Sequence, residues 1–296
     1  MQIGEKFEAM KTAFDLAFKN AFGEAPSTYE QFAMTVGDPS HSIVKLPFLE
    51  QFSCMREWIG PRKIKNLVGK ELTITERSFE DTIAIKSRDL ETDNWTMYIT
   101  AVQQMAANGK SLWDQLAAEA LLNPGKWIDS KAFFSTDRKY GETVICNKTT
   151  DALSYASFKT AYETMGGYAG HAGKPLGVVP DTLMVGPANF FKAKAIIENE
   201  FISDNGTTTS NECRGLVKIL LNPRIIGKGA ANWYLMCCSG PIKPVAVQKS
   251  KEPTLVSKNA PTDEGIFMED QALFGTAGYG NAAAAFPHLV YGGIAG

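Results

Sequence analysis

The sequence predicts an α+β fold in which long amphipathic helices accompany a set of mostly antiparallel strands. Two stretches carry apolar residues at helical spacing, and several short apolar runs bounded by Gly and Pro have the composition of strands. A third observation is a long charged stretch between the two helices, which holds too few apolar residues to form a core of its own. The chain of 296 residues is long enough for one large domain or two intertwined ones.

The first helix is predicted over residues 5–22, where Gly23 supplies a stop. Its apolar residues follow the spacing of one helix face, and they are Phe7, Met10, Phe14, Ala17, Phe18, Ala21 and Phe22. A helix so rich in Phe must dock on an apolar surface. That surface belongs either to its own domain or to a neighbouring subunit, and Phe14 and Phe18 are candidate contact residues in the second case.

The charged stretch is predicted to form a long antiparallel ribbon over roughly residues 56–90. Leu72 and Ile74, and then Phe79, Ile83 and Ile85, alternate with polar residues as strands do. A lone two-stranded hairpin is only marginally stable in water, so this ribbon needs support from elsewhere.

A second long helix is predicted over residues 94–122, capped by Asp93 or Asn94 and ending before Asn123-Pro124. Asn108-Gly109 is an expected weak point in its middle. Further helices are predicted at 155–166 and in the second half of 180–200, which reads as strand, turn and helix. Later apolar runs read as strands, and the small-residue tail from Gly265 onward is expected to form a strand pair.

The sequence holds no recognisable catalytic, cofactor or metal site. The three histidines are scattered, and the five cysteines show no CxxC spacing, so buried free thiols are expected. The stretch GGYAGHAGKP lacks the first Gly and the Ser or Thr of a phosphate-binding loop, and no GxSxG is present. The protein is therefore expected not to be an enzyme, although a cleft enzyme of unrecognised type stays as an alternative.

Charge and hydropathy limit the possible partners. A net charge of −2 gives no bulk basic field for binding a polyanion. The first twenty residues carry charges throughout and no apolar core of a signal peptide, and no run approaches the ~18 apolar residues of a membrane span. We therefore expect a protein that is made and assembled in a cytosol without a membrane.

An ordered set of segments resembles the major head subunit of Mu-like phages (gene product T). The segments are YEQFAM (29–34), MREWIGPRKI (55–64), FEDTIAIKSRDLETDN (79–94), PDTLMVGPANFFKAKAII (180–197), WYLMCCSGPIKPVAVQKSKEPTLV (233–256) and GIFMEDQALFGTAGYGNAAAAFPHLV (265–290). Together they cover most of the chain in the expected order, and the order supplies the specificity because no single segment is a signature.

The resemblance implies the Hong Kong 97-type major capsid fold. Residues 1–55 would form the N-terminal arm and the path into the peripheral domain, and 56–90 would form the extended β-hairpin loop. Residues 91–149 would form the peripheral domain with the long spine helix, 150–245 the axial domain, and 246–296 the return strands of the peripheral domain.

The resemblance also implies a function: the repeating subunit of an icosahedral head of a tailed bacteriophage or prophage, assembled in the host bacterial cytoplasm. Implied partners are further copies in pentamers and hexamers, a scaffold or protease, a portal, decoration proteins, and enclosed double-stranded DNA that is not bound by sequence. The ribbon would lie across a neighbouring subunit, with its charges setting specificity and register. Candidate contact residues there are Arg56, Trp58, Arg62, Lys63, Lys65, Glu76, Arg77 and Glu80.

Two interpretations that need no neighbouring subunit stay open for these residues. Trp58 would equally fit packing at the base of the ribbon within its own subunit, and the basic residues would fit a solvated strand. For the whole chain, the alternative with the same fold is the shell protein of a non-viral nanocompartment that holds cargo enzymes.

Overall fold

The structure, a computed structural model, describes most of the chain. The described residues are 3–37, 41–47, 70–86, 88–89, 92, 94–140, 143–170, 173–204, 207–260 and 263–294. The helices within these ranges are α1 (Ile3–Glu24), α2 (Ile99–Leu122), α3 (Tyr155–Gly166), α4 (Phe190–Ile197) and α5 (Glu264–Glu269). A 3₁₀ turn at Asn94–Tyr98 precedes α2, so the predictions of long helices over 5–22 and 94–122 are confirmed.

The strands within the described residues form two larger sheets and three strand pairs. Their bounds are β1 (Ala33–Val36), β2 (Ile43–Pro47), β3 (Glu71–Thr75), β4 (Arg77–Lys86), β5 (Arg138–Tyr140), β6 (Thr143–Ile145), β7 (Lys148–Thr149), β8 (Thr182–Val185), β9 (Phe201–Asp204), β10 (Thr207–Ser210), β11 (Lys218–Leu221), β12 (Trp233–Met236), β13 (Val245–Lys258), β14 (Gln271–Ala284) and β15 (Val290–Gly293). With five helices beside them, these strands confirm the predicted α+β class.

A four-stranded sheet runs in the order β1-β13-β14-β4 and carries α2 on one face. The strands β13 and β14 pair antiparallel from Val245↔Ala284 to Lys258↔Leu273, with bulges between Lys249 and Thr254. Buried residues alternate along β14, and those at even positions face α2. Gly278 lies against Leu112 in this way, so the sheet and the helix share one core.

The Asn108-Gly109 pair does not interrupt α2, contrary to the expected weak point. A Cβ on Gly109 would lie 3.0 Å from the Cβ of Pro253 in the β13 bulge. The absence of a side chain therefore serves the packing of the helix on the sheet, and that contact offsets the low helix propensity of Gly.

A five-stranded mixed sheet runs in the order β11-β8-β12-β15-β7. Strands β8 and β11 are parallel, β12 is antiparallel to both of its neighbours, and β15 is parallel to β7. Every residue of β8 and β12 is buried, as expected for strands that are covered on both faces. A capping box formed by Ser154 and Ser157 begins α3, which packs on β12 through Phe158 and its neighbours.

The helix α1 docks on its own chain. Phe14 is fully buried and its ring meets the ring of Phe274 edge-on at 5.0 Å, while Phe18 is 4% exposed in the same cluster. This differs from the expectation that both rings contact a neighbouring subunit, because buried side chains leave no surface for one. Docking on the same domain and docking on a neighbouring subunit both require an apolar helix face, so the periodicity could not distinguish them.

The predicted ribbon over 56–90 is divided in the structure. The strand β3 pairs with β2 in the register Ile43↔Thr75 to Pro47↔Glu71, and β4 pairs with β14 instead of with β3. The ribbon prediction is therefore wrong for β4, which is an edge strand of the four-stranded sheet. Residues 48–69, which include the first half of the predicted ribbon, lie outside the described residues.

The predicted strand pair at the tail is also wrong. The strand β14 lies between β13 and β4, whereas β15 enters the other sheet between β12 and β7. The physical reason is burial: β14 has one buried and one half-buried face, while all four residues of β15 are buried. The two strands thus fit different sheets, and the segment between them joins the two halves of the molecule.

The contact between α2 and β14 generates a stability prediction. A Cβ on Gly280 would lie 2.3 Å from the carbonyl oxygen of Gln248 and 2.6 Å from the Trp113 ring. We expect Gly280→Ala to lower the free energy of unfolding by about 1–3 kcal/mol, as overpacking does. Urea unfolding of the unassembled chain, followed by circular dichroism, measures it.

The matched control is Gly166→Ala at the end of α3, where a Cβ would meet nothing within 4 Å. This variant should be as stable as the parent or slightly more so. Equal destabilisation by both substitutions would contradict the close packing of α2 on β14.

Candidate assembly surface

The strands β2 and β3 form a stem that is anchored along one face. Ile74 is 2% exposed and packs with Ala246 and Ala285 on the four-stranded sheet. The side-chain amide of Asn281 donates to the carbonyl oxygen of Thr75 at 2.8 Å. The stem thus rests on the face of the sheet opposite α2, because Asn281 and Ala283 are odd-numbered residues of β14. Its far end, where Pro47 pairs with Glu71, opens towards residues 48–69.

Three of the predicted contact residues can be placed beside this stem. Glu76 is half-buried between β3 and β4, and its backbone N–H donates to Ser42. Arg77 has partners in its own chain, since its Nη1 lies 3.5 Å from a carboxylate oxygen of Glu119 and its guanidinium lies 5.1 Å from the centre of the Phe79 ring. Glu80 is exposed on β4 and accepts a hydrogen bond from the hydroxyl of Thr82 at 2.8 Å.

The structure brings Glu76, Arg77 and Glu80 together on one edge of the four-stranded sheet. The other five predicted contact residues of the ribbon, Arg56, Trp58, Arg62, Lys63 and Lys65, lie outside the described residues. Their contacts stay a prediction.

A second exposed region lies at the carboxyl ends of β8 and β11. Phe191 in the first turn of α4 is 79% exposed and Ile226 is 64% exposed. Leu221 is also exposed and pairs with Val185, the last residue of β8. The loops are close, because a Cβ on Gly186 would lie 2.3 Å from the carbonyl oxygen of Ile225. These residues form an apolar end of the sheet, and they are Pro187, Ala188, Phe191, Leu221, Pro223 and Ile226.

Sequence reasoning missed this apolar end. The signal that could have found it is the Phe190-Phe191 doublet, because two adjacent residues of a helix cannot both face the same core. Phe190 is half-buried and Phe191 is exposed, with ring centres 5.6 Å apart. Large exposed apolar residues of this kind mark interaction sites when they are grouped.

A buried cation holds the segment between α2 and β5 together. The Arg138 side chain is 1% exposed and forms an ion pair with Asp129, and its Nη2 donates to the carbonyl oxygens of Ala132 and Phe133 at 2.7 and 3.2 Å. Its guanidinium lies 4.6 Å from the Trp127 ring centre. The indole N–H of Trp127 donates to Ala285 at 2.9 Å, which connects this network to the end of β14.

A buried and a half-buried carboxylate fix the loops beside the sheets. One oxygen of Asp114 on α2 accepts the backbone N–H groups of Thr28 and Tyr29, both at 2.7 Å, and thereby holds the segment after α1 against the long helix. One oxygen of Asp181 accepts the N–H groups of Cys238 and Ser239 at 2.8 and 2.7 Å. Both carboxylates act as structural acceptors.

The Cys238 thiol is buried beside Asp181. Burial, and then the Asp181 carboxylate, raises the pKa of the Cys238 thiol to about 12, so the thiol stays protonated. Within the described ranges, no group of three or more His, Cys, Asp or Glu could hold a metal ion. The same ranges contain no helix that is long and apolar enough to cross a membrane.

The buried Arg138 generates a second prediction. We expect Arg138→Met to lower the free energy of unfolding by about 3–5 kcal/mol, because it leaves the Asp129 carboxylate and two carbonyl oxygens without their donor. Lys131→Met is the matched control, since Lys131 pairs with Asp137 at an exposed position and such pairs contribute below about 1 kcal/mol. Equal effects in urea unfolding would contradict the anchoring role of Arg138.

A third prediction concerns pH. Burial lowers the pKa of His288 to about 3, whereas an unfolded His has a pKa of ~6.5. Below pH ~6.5 the unfolded chain binds a proton that the folded chain does not, so stability falls as the pH is lowered towards 3 and is constant above ~6.5. The group contributes up to about 1.4 kcal/mol for each pH unit in that window.

The measurement is urea unfolding between pH 4 and 8 of the parent and of His288→Gln. The variant should lose part of the pH dependence between pH 4 and 6.5. His41→Gln, which changes an exposed histidine, should keep it. Parallel curves for the parent and His288→Gln would overturn the assignment.

Comparison with known proteins identifies the fold and the family. The model of the family described as "Mu-like prophage major head subunit gpT" matches residues 7–151, 140–225 and 224–295. The major capsid protein of Escherichia phage Mu is 25% identical over 279 residues, which is 92% of this chain and 70% of that protein. The Mu-like prophage FluMu major head subunit of Haemophilus influenzae (strain ATCC 51907 / DSM 11121 / KW20 / Rd) is 22% identical over 286 residues, with 96% and 71% covered.

Among solved structures, the procapsid of bacteriophage JBD30 superimposes with a TM-score of 0.59 at 24% identity, covering 97% of this chain and 74% of that one. This likeness shows the fold of phage major capsid proteins, the Hong Kong 97 type, and confirms the predicted architecture. The family match favours the phage head subunit over the non-viral shell protein of the same fold. The chain belongs to the Mu-like prophage major head subunit gpT family, the major capsid proteins of Mu-like phages.

Proposed function

We propose that this major capsid protein closes into an icosahedral shell of pentamers and hexamers through several modest contacts of each subunit. The observation that carries the proposal is the β2–β3 stem. It is anchored at Thr75 and Ile74, and its far end leads into a segment rich in charge. This strand pair packs on a core through one of its faces. It is stabilised further when it extends over a neighbouring subunit.

The same geometry supports a division into domains, in which residues 1–55 form the N-terminal arm and the path into the peripheral domain. Residues 56–90 supply the extended loop as far as β4, and residues 91–149 with 246–296 supply the peripheral domain around α2 and the four-stranded sheet. Residues 150–245 supply most of the five-stranded sheet and form the axial domain. The contact residues proposed for the extended loop are Arg56, Trp58, Arg62, Lys63, Lys65, Glu76 and Glu80, with Arg77 divided between Glu119 and a neighbour.

The apolar end of the five-stranded sheet supplies a second contact. Phe191 and Ile226 expose apolar surface that would not stabilise an isolated monomer. Lysines 192 and 228 flank them in the sequence. An apolar centre with a charged rim is the usual anatomy of a protein interface. A head-to-tail contact of this kind produces rings when the rotation closes.

The shell encloses double-stranded DNA without reading its sequence, and the partners of assembly are a scaffold or protease, a portal and decoration proteins. The net charge of −2 supports a DNA contact that does not hold the polyanion in place. The same near-neutral chain acts as a structural protein and catalyses no reaction.

Negative-stain electron microscopy of the purified chain, alone and with its native scaffold, tests the proposal. Closed shells or tubes are expected, and a persistent monomer in both preparations would contradict it. Phe191→Ser should reduce the particle count by about tenfold or more, since loss of one anchor at an interface costs on the order of 2 kcal/mol. Its circular dichroism should match the parent because the side chain is exposed.

Phe191→Leu is the matched control, because it keeps an apolar side chain at the same position. It should assemble like the parent. Normal assembly of Phe191→Ser would remove the apolar end from the interface while leaving the shell itself in place.

A further inference from the structure

A groove of about 350 Å³ lies between β4, β14 and α2. The apolar part of its wall consists of Phe79, Leu112 and Pro253, and its polar part includes Glu80 and Asp81. Gly109 and Gly278 also line the groove, where Pro253 packs closely against both of them. The apolar wall of the groove can thus cover the aliphatic part of a long side chain, and the groove ends at negatively charged residues.

The polar groups of the groove lack partners. Within the described residues, the Asp81 carboxylate makes no ion pair, and Glu80 accepts only the hydroxyl of Thr82. Thr276 lies directly opposite Asp81 in the strand register and is 5% exposed, and its buried Oγ1 has no hydrogen-bond partner. A buried hydroxyl without a partner costs free energy, so its presence points to a donor or acceptor that arrives from outside.

Arg224, which contacts the backbone of Ser111 beside the groove, is directed elsewhere. The Nη2 of Arg224 donates to the carbonyl oxygen of Ser111 at 3.2 Å, and Arg224 does not line the groove. The groove therefore offers the Asp81 carboxylate, one free hydroxyl and the amide nitrogen of Asn108, whose amide oxygen already accepts from Gln104 at 3.0 Å. The Glu80 carboxylate, which accepts from Thr82, lies on the other face of the sheet because Glu80 pairs with Ala277. A Lys or Arg side chain matches this set, since its stem lies on apolar surface while its head needs acceptors.

We propose that this groove receives the basic run Arg62, Lys63 and Lys65 of a second copy of the chain. The proposal rests on the proposed function and names the acceptor of the extended loop. Charge complementarity supports this occupant: residues 55–70 hold five basic residues and one acidic residue, a net charge of +4 in a chain of net charge −2.

Two geometric features favour the basic run of a neighbour over that of the same chain. The groove lies on the face of β14 that carries α2, and the stem lies on the opposite face. Thr276 is eight residues from Ala284, roughly 27 Å along the strand, and the far end of the stem lies beyond that point beside Phe286. Lys65 and Arg62 are six and nine residues before Glu71, at most about 21 and about 32 Å of chain, and that chain would also have to pass from one face of the sheet to the other. The occupant is therefore assigned to a neighbouring copy.

Charge reversal tests the proposal in the full-length chain with its native scaffold. Asp81→Lys should raise the protein concentration needed for assembly by about tenfold or more, because like charges then meet in the groove. The chain carrying Arg62→Glu, Lys63→Glu and Lys65→Glu should show the same defect. Mixing the two defective chains should restore particles, since each acidic run then meets the basic groove of an Asp81→Lys neighbour and each unchanged run meets an unchanged groove.

Thr276→Val separates binding from folding. It replaces the hydroxyl by a methyl group of similar size, so urea unfolding of the monomer should be unchanged or slightly shifted to higher urea. Assembly should nevertheless weaken about threefold or more as a hydrogen bond to the incoming cation is lost. A purely structural role for Thr276 would leave assembly unchanged.

The outcomes separate the two proposals. Failure of the parent chain to form any particle would overturn the proposed function. Normal assembly of Asp81→Lys, or a mixture that assembles no better than its components, would overturn the groove as the acceptor and leave the shell intact. Glu163→Lys, at an exposed position on α3, is the control for the effect of one reversed charge, and its assembly should equal that of the parent.

Discussion

The contact of α2 with the β13–β14 pair is the constraint on which the other features depend. A helix normally sits about 10 Å from a sheet, and the distance is set by the side chains between them. Here Gly109 on the helix and Gly278 and Gly280 on the strand remove those side chains where Pro253 and Trp113 fill the space. Each glycine weakens its own element by up to ~1 kcal/mol, so the fit must offset that cost locally. The polar groove lies beside these packed points, and Gly109 and Gly278 line it.

Once α2 is fixed, the remaining parts attach to it through single buried polar groups. Asp114 of α2 holds the segment after α1 through two backbone N–H groups, and α1 then covers Phe274 on the same face of the sheet. At the other end of β14, Trp127 and Arg138 tie Ala285 to the segment between α2 and β5. These polar groups are satisfied inside the subunit and so are not available to neighbours. The surfaces that remain available are the β2–β3 stem, the outer groove and the apolar end near Phe191.

The sequence predicts the local helices and strands but not which strands pair when they lie far apart in the chain. The helices α1 and α2 follow from apolar spacing at 3.6 residues, which is a property of each segment alone. The alternation in β3 and β4 predicted two strands correctly but joined them to each other, because adjacent alternating runs resemble a hairpin. Their partners, β2 and β14, lie about 30 residues before and about 190 residues after them, and no local pattern names such a partner. For the same reason the sequence does not reveal the groove, because Asp81 and Thr276 face each other only through that register. Phe14 stayed a candidate contact for a neighbour because periodicity does not show whether a helix face is buried within its own chain.

The distribution of charge explains how a nearly neutral chain can recognise copies of itself. Net charge reports solubility and long-range steering, but recognition depends on where the charges lie. With +4 concentrated in residues 55–70, the other 280 residues carry −6, and part of that charge lies at Asp81 in a groove with a partly apolar wall. In such a place a charge interacts more strongly than on an open surface. In the proposed pairing, the stem that leads to the basic run and the acidic groove lie on opposite faces of one sheet, so each copy offers a site of either sign to its neighbours. Such a head-to-tail contact extends until symmetry closes it, as a shell subunit requires.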